Sequence, residues 1–420
     1  IVATTTLAMG VNTPASAVIV VGLEHPGPTP EPYSVAEYKN LVGRAGRLGF
    51  AERGASYLLA NDSRQERDLW HNYVIASPED LASRFLDADP RSLIIRVLAA
   101  ARRLAREGIR REEVIEFLES SFGAFQKRQS GDTSLSWDGL VINEAFDELV
   151  RHNLVERGEG DRYHLTALGA LAGESAIEVE SLIRAIDCIR LLDPTELSDP
   201  ALIGISQLSM ELGQVYFPMN KRSTQKEPQH WMGELRNQGL SSTILSSFRQ
   251  KIIEEYEATL RAKKAATCLY YMSGMAMEDI EHAVTQFGGG FDGAAGPIRS
   301  VTTRTIDVLP MVARAAEIIH PQLELTDRLA RILIRLDLGI PGPAVDLAGY
   351  VGRDIDRGDY RSLCEAGLVD CNTLSETSDE TLLEHLGKSL SKLLVVKEAL
   401  KNWRKKSEAA RPIPLPKYQA

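Results

Sequence analysis

Gly43-Arg44-Ala45-Gly46-Arg47 gathers donor chemistry into a very short stretch. Two arginines three residues apart, set among glycines, can present two rigid guanidinium forks to one phosphate from a tight backbone. Phosphoryl transfer uses such groups, because charge accumulates on the γ-phosphate oxygens as the bond breaks. The plain alternative is a glycine-rich surface turn that contains arginine. Upstream, Ala3-Thr4-Thr5-Thr6-Leu7-Ala8-Met9-Gly10-Val11-Asn12-Thr13-Pro14 reads as a strand running into hydroxyl-rich backbone and then a glycine turn. Hydroxyls and free N–H groups at a strand end suit the phosphates of a nucleic-acid strand, and Gly10 allows close approach of a nucleotide. Its plain alternative is an ordinary β-to-α loop.

The elements that must position these groups follow an α/β pattern. Short apolar strands are expected at Ile1 to Thr4, Ala17 to Gly22 and Ala55 to Ala60, with a helix from about Val35 to Leu41. After Asp62 helical periodicity takes over. Leu93, Ile94, Val97, Leu98 and Leu104 share one face, and Val114, Ile115, Leu118 and Phe122 the next. Gly123 to Trp137 reads as a polar loop. A helix from Asp138, with Leu140, Ile142, Ala145, Phe146 and Leu149 inward, then leads into a hairpin of Leu154 to Arg157 and Arg162 to Leu165, and a further helix starts at Thr166. Helices plus such a hairpin form a winged-helix pattern. Whether it reads a groove or only packs stays open, since its recognition helix carries Glu144, Asp147 and Glu148.

From about Glu174 to Ile319 the pattern is helical, broken by a polar loop at Asn220 to Gln229 and by glycines from Gly288 to Gly296-Pro297. A last helical unit spans Leu323 to Trp403. The basic, then Pro-rich stretch from Arg404 to Ala420 is expected to be a disordered tail.

With 420 residues the chain should hold about three or four domains. It has no apolar run long enough for a membrane span and no signal-peptide pattern. Four scattered cysteines with no metal-ligand spacing point to a reducing cytoplasm and no structural metal. A net charge of −10 argues against a uniformly basic coat, so local charge matters more. Two basic stretches stand out: Arg91, Arg96, Arg102, Arg103, Arg106, Arg110 and Arg111, and Lys388, Lys392, Lys397, Lys401, Arg404, Lys405 and Lys406. Each reads as a solvated helix face or as a nucleic-acid contact.

Taken together, the two opening stretches resemble motifs V and VI of superfamily-2 helicases. The order of parts is similar to the branch containing the archaeal fork-repair helicase and the helicase half of DNA polymerase theta. That resemblance implies a RecA-like lobe remnant (residues 1–62), a winged helix (63–172), a helical ratchet bundle (173–320), a helix-hairpin-helix-like domain (321–403) and a tail (404–420). It implies that Arg44 and Arg47 reach the γ-phosphate, that Gly10, Asn12, Asn40 and Gly43 lie beside the nucleotide, and that Thr4 and Thr6 touch the strand's phosphates. Asn40 stands where the family usually has glutamine. The resemblance also points to a helix of Ile298 to Asp307 lying along single-stranded DNA with Arg299 and Arg304, although the aromatic that stacks on a base is missing and Pro310 should kink or end the helix. A plain packing helix is the other reading. Gly339-Ile340-Pro341-Gly342 reads as a phosphate-facing hairpin or as simple structure, with Gly358 and Gly367 marking further turns.

The function implied is the C-terminal part of an ATP-dependent 3′ to 5′ DNA helicase in repair or recombination, a monomer acting on single-stranded and forked DNA. ATP and Mg²⁺ would be held mainly by a preceding lobe. Neither a Gly-x-x-x-x-Gly-Lys-Ser/Thr stretch nor an Asp-Glu-x-His box occurs here, so this chain alone is not expected to hydrolyse ATP. The absence of an initiator Met, with Ile1 entering a strand midway, reads as a fragment of something longer. Two alternatives stand beside this: an RNA helicase of the neighbouring RNA-degradation branch, and a non-catalytic DNA-binding module.

Overall fold

The computed structural model describes residues 15–25, 31–46, 53–81, 83, 88–102, 108–130, 139–219, 226–287 and 293–409. The chain divides into two compact units, Ile1–Leu86 with Phe122–Asp132, and Asp87–Ser121 with Thr133–Ala420.

The first unit carries strands β1 (Ala17–Val20) and β2 (Ala55–Leu58), paired in parallel from Ala17 opposite Ala55 to Val20 opposite Leu58. Both follow the expected strands; the expected strand at Ile1 lies outside the described residues. Helix α1 (Val35–Val42) comes between them. It starts where Ser34 and Glu37 form a reciprocal capping box, the Ser34 hydroxyl accepting from the Glu37 N–H at 3.1 Å and the Glu37 carboxylate from the Ser34 N–H at 2.8 Å. Glu79 takes the next two free donors, Val35 N–H at 2.6 Å and Ala36 N–H at 3.0 Å. Tyr38, the buried residue of α1, meets the Tyr73 ring edge-on at 5.5 Å. Helix α2 (Ser63–Leu69), capped by Asp62, continues into a π turn at Trp70–Val74.

Helices α3 (Pro90–Ala101) and α4 (Arg111–Glu119) belong to the second unit, and α5 (Phe122–Ser130) to the first. The expected polar loop from Gly123 is therefore corrected: it is helical through Ser130. Gln126 fixes it there, accepting from the Ser83 N–H at 2.8 Å and donating to the Leu81 carbonyl at 2.6 Å. One glycine and one serine among good helix formers do not break a helix that side-chain bonds hold down.

In the second unit, α6 (Gly139–Arg151) buries Ile142, Ala145, Phe146 and Leu149 as expected. Leu140 is a correction: it is exposed, because it lies about half a turn away from the face those four define. A small antiparallel sheet runs β3–β5–β4, formed by β3 (Ile109–Arg110), β4 (Val155–Arg157) and β5 (Arg162–Leu165). The hairpin is where the sequence placed it, its turn carrying positive φ at Gly160 and Asp161. The two-residue third strand is too short to show an alternation in sequence. Thr166 caps α7 (Ala167–Glu174), and a Cβ at Gly169 would meet the Leu154 carbonyl oxygen at 1.8 Å, so the helix backbone rests directly on the hairpin.

A helical bundle follows: α8 (Val179–Ile189), α9 (Asp199–Ser206), α10 (Met210–Gly213), α11 (Lys226–Asn237), α12 (Ser242–Ser247), α13 (Tyr256–Met272), α14 (Met277–Thr285) and α15 (Ala295–Ile319). Residues 220–225 and 288–292 of the expected loops lie outside the described residues, while Lys226 to Gln229 already belong to α11. Pro310 does not end the helix, since α15 continues through it to Ile319. Its ring is on the exposed face, where water can hydrate the carbonyl it leaves without a donor.

The last helices are α16 (Thr326–Leu338), α17 (Val345–Val351), α18 (Arg357–Glu365), α19 (Cys371–Glu376), α20 (Asp379–His385) and α21 (Leu390–Ala409), around a core that includes Leu347, Tyr360, Leu374, Leu386 and Val396. Gly367 turns with φ +74°, as expected, whereas Gly358 sits inside α18 and marks no turn. The tail expected from Arg404 is helical through Ala409, which prolongs the amphipathic α21; residues 410–420 lie outside the described residues. No helix among the described residues is long and apolar enough to cross a membrane.

Candidate nucleotide and nucleic-acid interface

The arginine turn follows α1 directly. Its backbone still donates backward in helical fashion, Gly43 N–H to the Lys39 carbonyl at 2.9 Å and Ala45 N–H to Val42 at 3.0 Å. It then joins Ala15, two residues before β1: Ala15 N–H donates to the Arg44 carbonyl at 3.1 Å, and Gly46 N–H to the Ala15 carbonyl at 2.9 Å. Gly46 has φ +70°, and a Cβ there would lie 2.3 Å from the Gly54 nitrogen, while one on Gly54 would lie 2.2 Å from the Ala45 carbonyl carbon. Two backbones press together, and only glycine fits on either side. Arg44 is thereby held with 9% of its surface exposed, and Asn40 is exposed one turn earlier on α1.

The structure thus brings Asn40, Gly43 and Arg44 together. Arg47, Gly10, Asn12, Thr4 and Thr6 lie outside the described residues. The guanidinium of Arg44 and the Asn40 amide offer donors that suit phosphate oxygens. No group of His, Cys, Asp and Glu among the described residues could hold a metal ion.

In the second unit, α15 turns Arg299, Ser300, Thr303, Arg304 and Asp307 outward and buries Ile298, Val301, Thr305 and Val308. Its start is held by Glu281, whose carboxylate accepts from Ala294 N–H at 2.6 Å and Ala295 N–H at 2.7 Å. Arg304 pairs with Asp307 at 3.3 Å in a half-exposed contact. Arg299 makes no ion pair among the described residues and borders a cleft of about 380 Å³ shared with Tyr271, Arg353, Asp356 and Arg357. Arg357 lies over the Tyr271 ring at 4.4 Å and donates to the Gly339 carbonyl at 2.6 Å. Burial lowers its pKa, and the neighbouring charge of Arg299 adds to that. Arg353 pairs with Asp337, and Asp356 accepts from Lys392 at 2.6 Å. Tyr271 and Tyr360 are the aromatic residues of the cleft wall, and the Tyr271 ring is covered by Arg357. Sequence reasoning missed Tyr271, Arg353 and Arg357, because α13 and the α18 region meet only through the fold.

Other expected contacts are engaged elsewhere. Arg91 pairs with Glu148 at 2.7 Å and Glu180 at 3.0 Å, and Arg111 with Asp147 while lying over the Phe146 ring at 5.1 Å. Two acids of the winged-helix pattern thus bind two arginines of the first basic stretch, which favours the packing reading of α6. At the Gly339 hairpin, Gly339 N–H at 2.8 Å and Ile340 N–H at 3.3 Å both return to the Arg335 carbonyl, which favours simple structure there.

A phosphate-suited arginine turn beside a parallel strand pair, followed by helices with an arginine-bearing cleft, agrees with the superfamily-2 DNA helicase resemblance, and comparison with known proteins bears that resemblance out. The chain is 31% identical over 177 residues, 42% of its length, to the ATP-dependent DNA helicase Hel308 of Caldivirga maquilingensis. It is 34% identical over 171 residues, 40% of its length, to Hel308 of Pyrobaculum calidifontis, and 36% identical over 171 residues, again 40%, to Hel308 of Aeropyrum pernix. The matches take in 23%, 23% and 21% of those relatives, so the chain spans under a quarter of the length of the curated proteins it matches. No family model matches the chain.

Proposed function

We propose that this chain is the C-terminal part of an ATP-dependent DNA helicase that moves 3′ to 5′ along single-stranded DNA and separates duplex, in repair or recombination. The observation that carries the reading is the arginine turn: Arg44, the residue to which the resemblance assigns the γ-phosphate, stands in backbone held by a glycine-on-glycine contact. The exposed apolar residues Ile19, Val21, Tyr57 and Leu59 on the two-stranded parallel sheet add support, because parallel sheets are normally covered on both faces. They fit a RecA-like lobe (residues 1–62) of which this is the closing part. The winged helix (63–172), ratchet bundle (173–320) and helix-hairpin-helix-like domain (321–403) complete the reading.

ATP, bound with Mg²⁺ chiefly by residues of a preceding lobe, supplies the phosphoanhydride whose cleavage drives each step. Arg44 and Arg47 neutralise charge that develops on the γ-phosphate oxygens, and Gly10, Asn12, Asn40 and Gly43 position the nucleotide. Thr4 and Thr6 hold phosphates of the tracked strand, and Arg299 and Arg304 hold it further along α15. In a longer protein that includes the phosphate-binding lysine, Arg44→Ala or Arg47→Ala should lower DNA-stimulated kcat by about a thousandfold, with nucleotide affinity little changed. Unchanged kcat would remove the arginine-finger assignment. Fluorescence anisotropy of the 420-residue chain should show tighter binding to single-stranded or forked DNA than to RNA, weakened by Arg299→Ala/Arg304→Ala. Equal or stronger RNA binding would favour the RNA-helicase alternative.

A further inference from the structure

The chain has 58 acidic against 48 basic residues, and many of its described cations are matched to carboxylates. On the outer face of α21 that balance reverses. Lys397 and Lys401 are four residues apart and the adjacent Arg404 and Lys405 follow three and four residues later, which puts them on one side of the helix over about 12 Å. They form one wall of a groove of about 380 Å³ whose opposite wall includes Ser375, Thr377 and Asp379. Asp379, the groove's carboxylate, is neutralised by Lys397. Lys401 is exposed and 3.6 Å from Glu398, Arg404 reaches the Ser375 carbonyl at 3.5 Å, and Lys405 makes no ion pair among the described residues.

The lining excludes several occupants. It contains no aromatic ring on which an unpaired base could stack. Its leucines, Leu374, Leu382 and Leu400, are no more than 5% exposed, so no open pocket receives an apolar anchor of a peptide. What remains is a row of cations about one helical turn apart over hydroxyls. Such a row matches a polymer that repeats negative charge and turns its bases inward. We propose that the groove between α21 and the α19–α20 segment grips the phosphate backbone of a nucleic-acid duplex, apart from the α15 face. This stands on the groove itself and does not require the motor reading.

The test is anisotropy of the 420-residue chain on a labelled blunt DNA duplex, the matching RNA duplex and a single strand, each across a salt series. Lys401→Ala/Lys405→Ala should weaken duplex binding by about tenfold and reduce the log–log salt slope by roughly 2, as expected for two lost phosphate contacts. Single-strand binding should stay as it was, and Arg299→Ala/Arg304→Ala should leave the duplex slope unchanged. Circular dichroism checks that helix content persists, and Lys401→Gln/Lys405→Gln repeats the test with neutral side chains that keep much of the aliphatic stem of lysine. Unchanged duplex binding in these variants, or no duplex binding by the parent chain, overturns the proposal. Displacement of the duplex by poly-glutamate at equal charge concentration also overturns it, in favour of an acidic protein. Loss of single-strand preference alone would count against the helicase reading and leave this one standing.

Discussion

Lys263 and Lys264 are neighbours on α13, and burial treats them differently. Lys263 donates to Glu227 and to the Pro218 carbonyl, each at 2.7 Å, in an ion pair that is 2% and 0% exposed. Lys264 has only carbonyl partners, Leu212 at 2.6 Å and Val215 at 2.7 Å. Together they tie the end of α10 and the segment after it to α13, which carries Tyr271. Burial brings the Lys264 pKa down from 10.5 to about 8. Between those values the unfolded chain binds the proton and the folded chain does not, so this lysine adds stability as pH rises through that window. The stability of the parent minus that of Lys264→Met should therefore grow by about 3 kcal/mol from pH 8 to 10.5. Urea titrations at several pH values measure this, and a pH-independent difference would show that burial leaves the Lys264 pKa where it is in the unfolded chain. Groups with the opposite trend, such as Cys188, whose thiol is pushed up to about 11 by burial, contribute to both proteins and drop out of the difference.

Among elements, the decisive contact is the one Arg91 makes at the start of α3. Its guanidinium binds Asp89 at 2.9 Å, Glu148 of α6 at 2.7 Å and Glu180 of α8 at 3.0 Å, and Glu180 also accepts from Arg184 at 2.9 Å. One side chain thus sets three helices, and removing it leaves carboxylates short of a partner. Arg91→Met should cost about 3 kcal/mol in denaturant unfolding, and Glu148→Gln in a double-mutant cycle should show coupling above about 1 kcal/mol. Additive effects would mean that the pair is held by packing alone. Elements were legible where local signals agreed: the alternation of short apolar strands with a helical stretch announced α1, and the glycine-rich turn announced the hairpin. They were not legible where tertiary contact overruled composition, as with α5 pinned by Gln126, or with Pro310 tolerated on an exposed face. The same divide holds at the site. Arg44 stands in a readable local pattern and Arg299 and Arg304 were reached through the resemblance, whereas Tyr271, Arg353 and Arg357 come together only after helices far apart in sequence have packed.

At the scale of the molecule, stability is distributed unevenly. The first unit has few described buried apolar residues, Val20 and Tyr38 among them, and its strand pair leaves Ile19 60% and Tyr57 54% exposed although they are register partners. The second unit is built around α13 and α15, where Ala262, Cys268, Val301, Val308 and Val312 are buried to within 1%. Openings follow the local density of buried contact, so the two units should not share one unfolding free energy. Hydrogen exchange should therefore show amides of β1 and β2, such as Ala55 N–H bonded to the Ser16 carbonyl, exchanging through low-energy local openings. Amides in the middle of α13 and α15 should exchange only when their unit unfolds. If the first unit finishes a RecA-like lobe, protection at Ala55 and Gly46 should rise in a longer protein that covers Ile19 and Tyr57, while protection in α13 stays the same. Equal protection of both units in the 420-residue chain would mean that the strand pair is already complete, and the exposed face would then need another explanation.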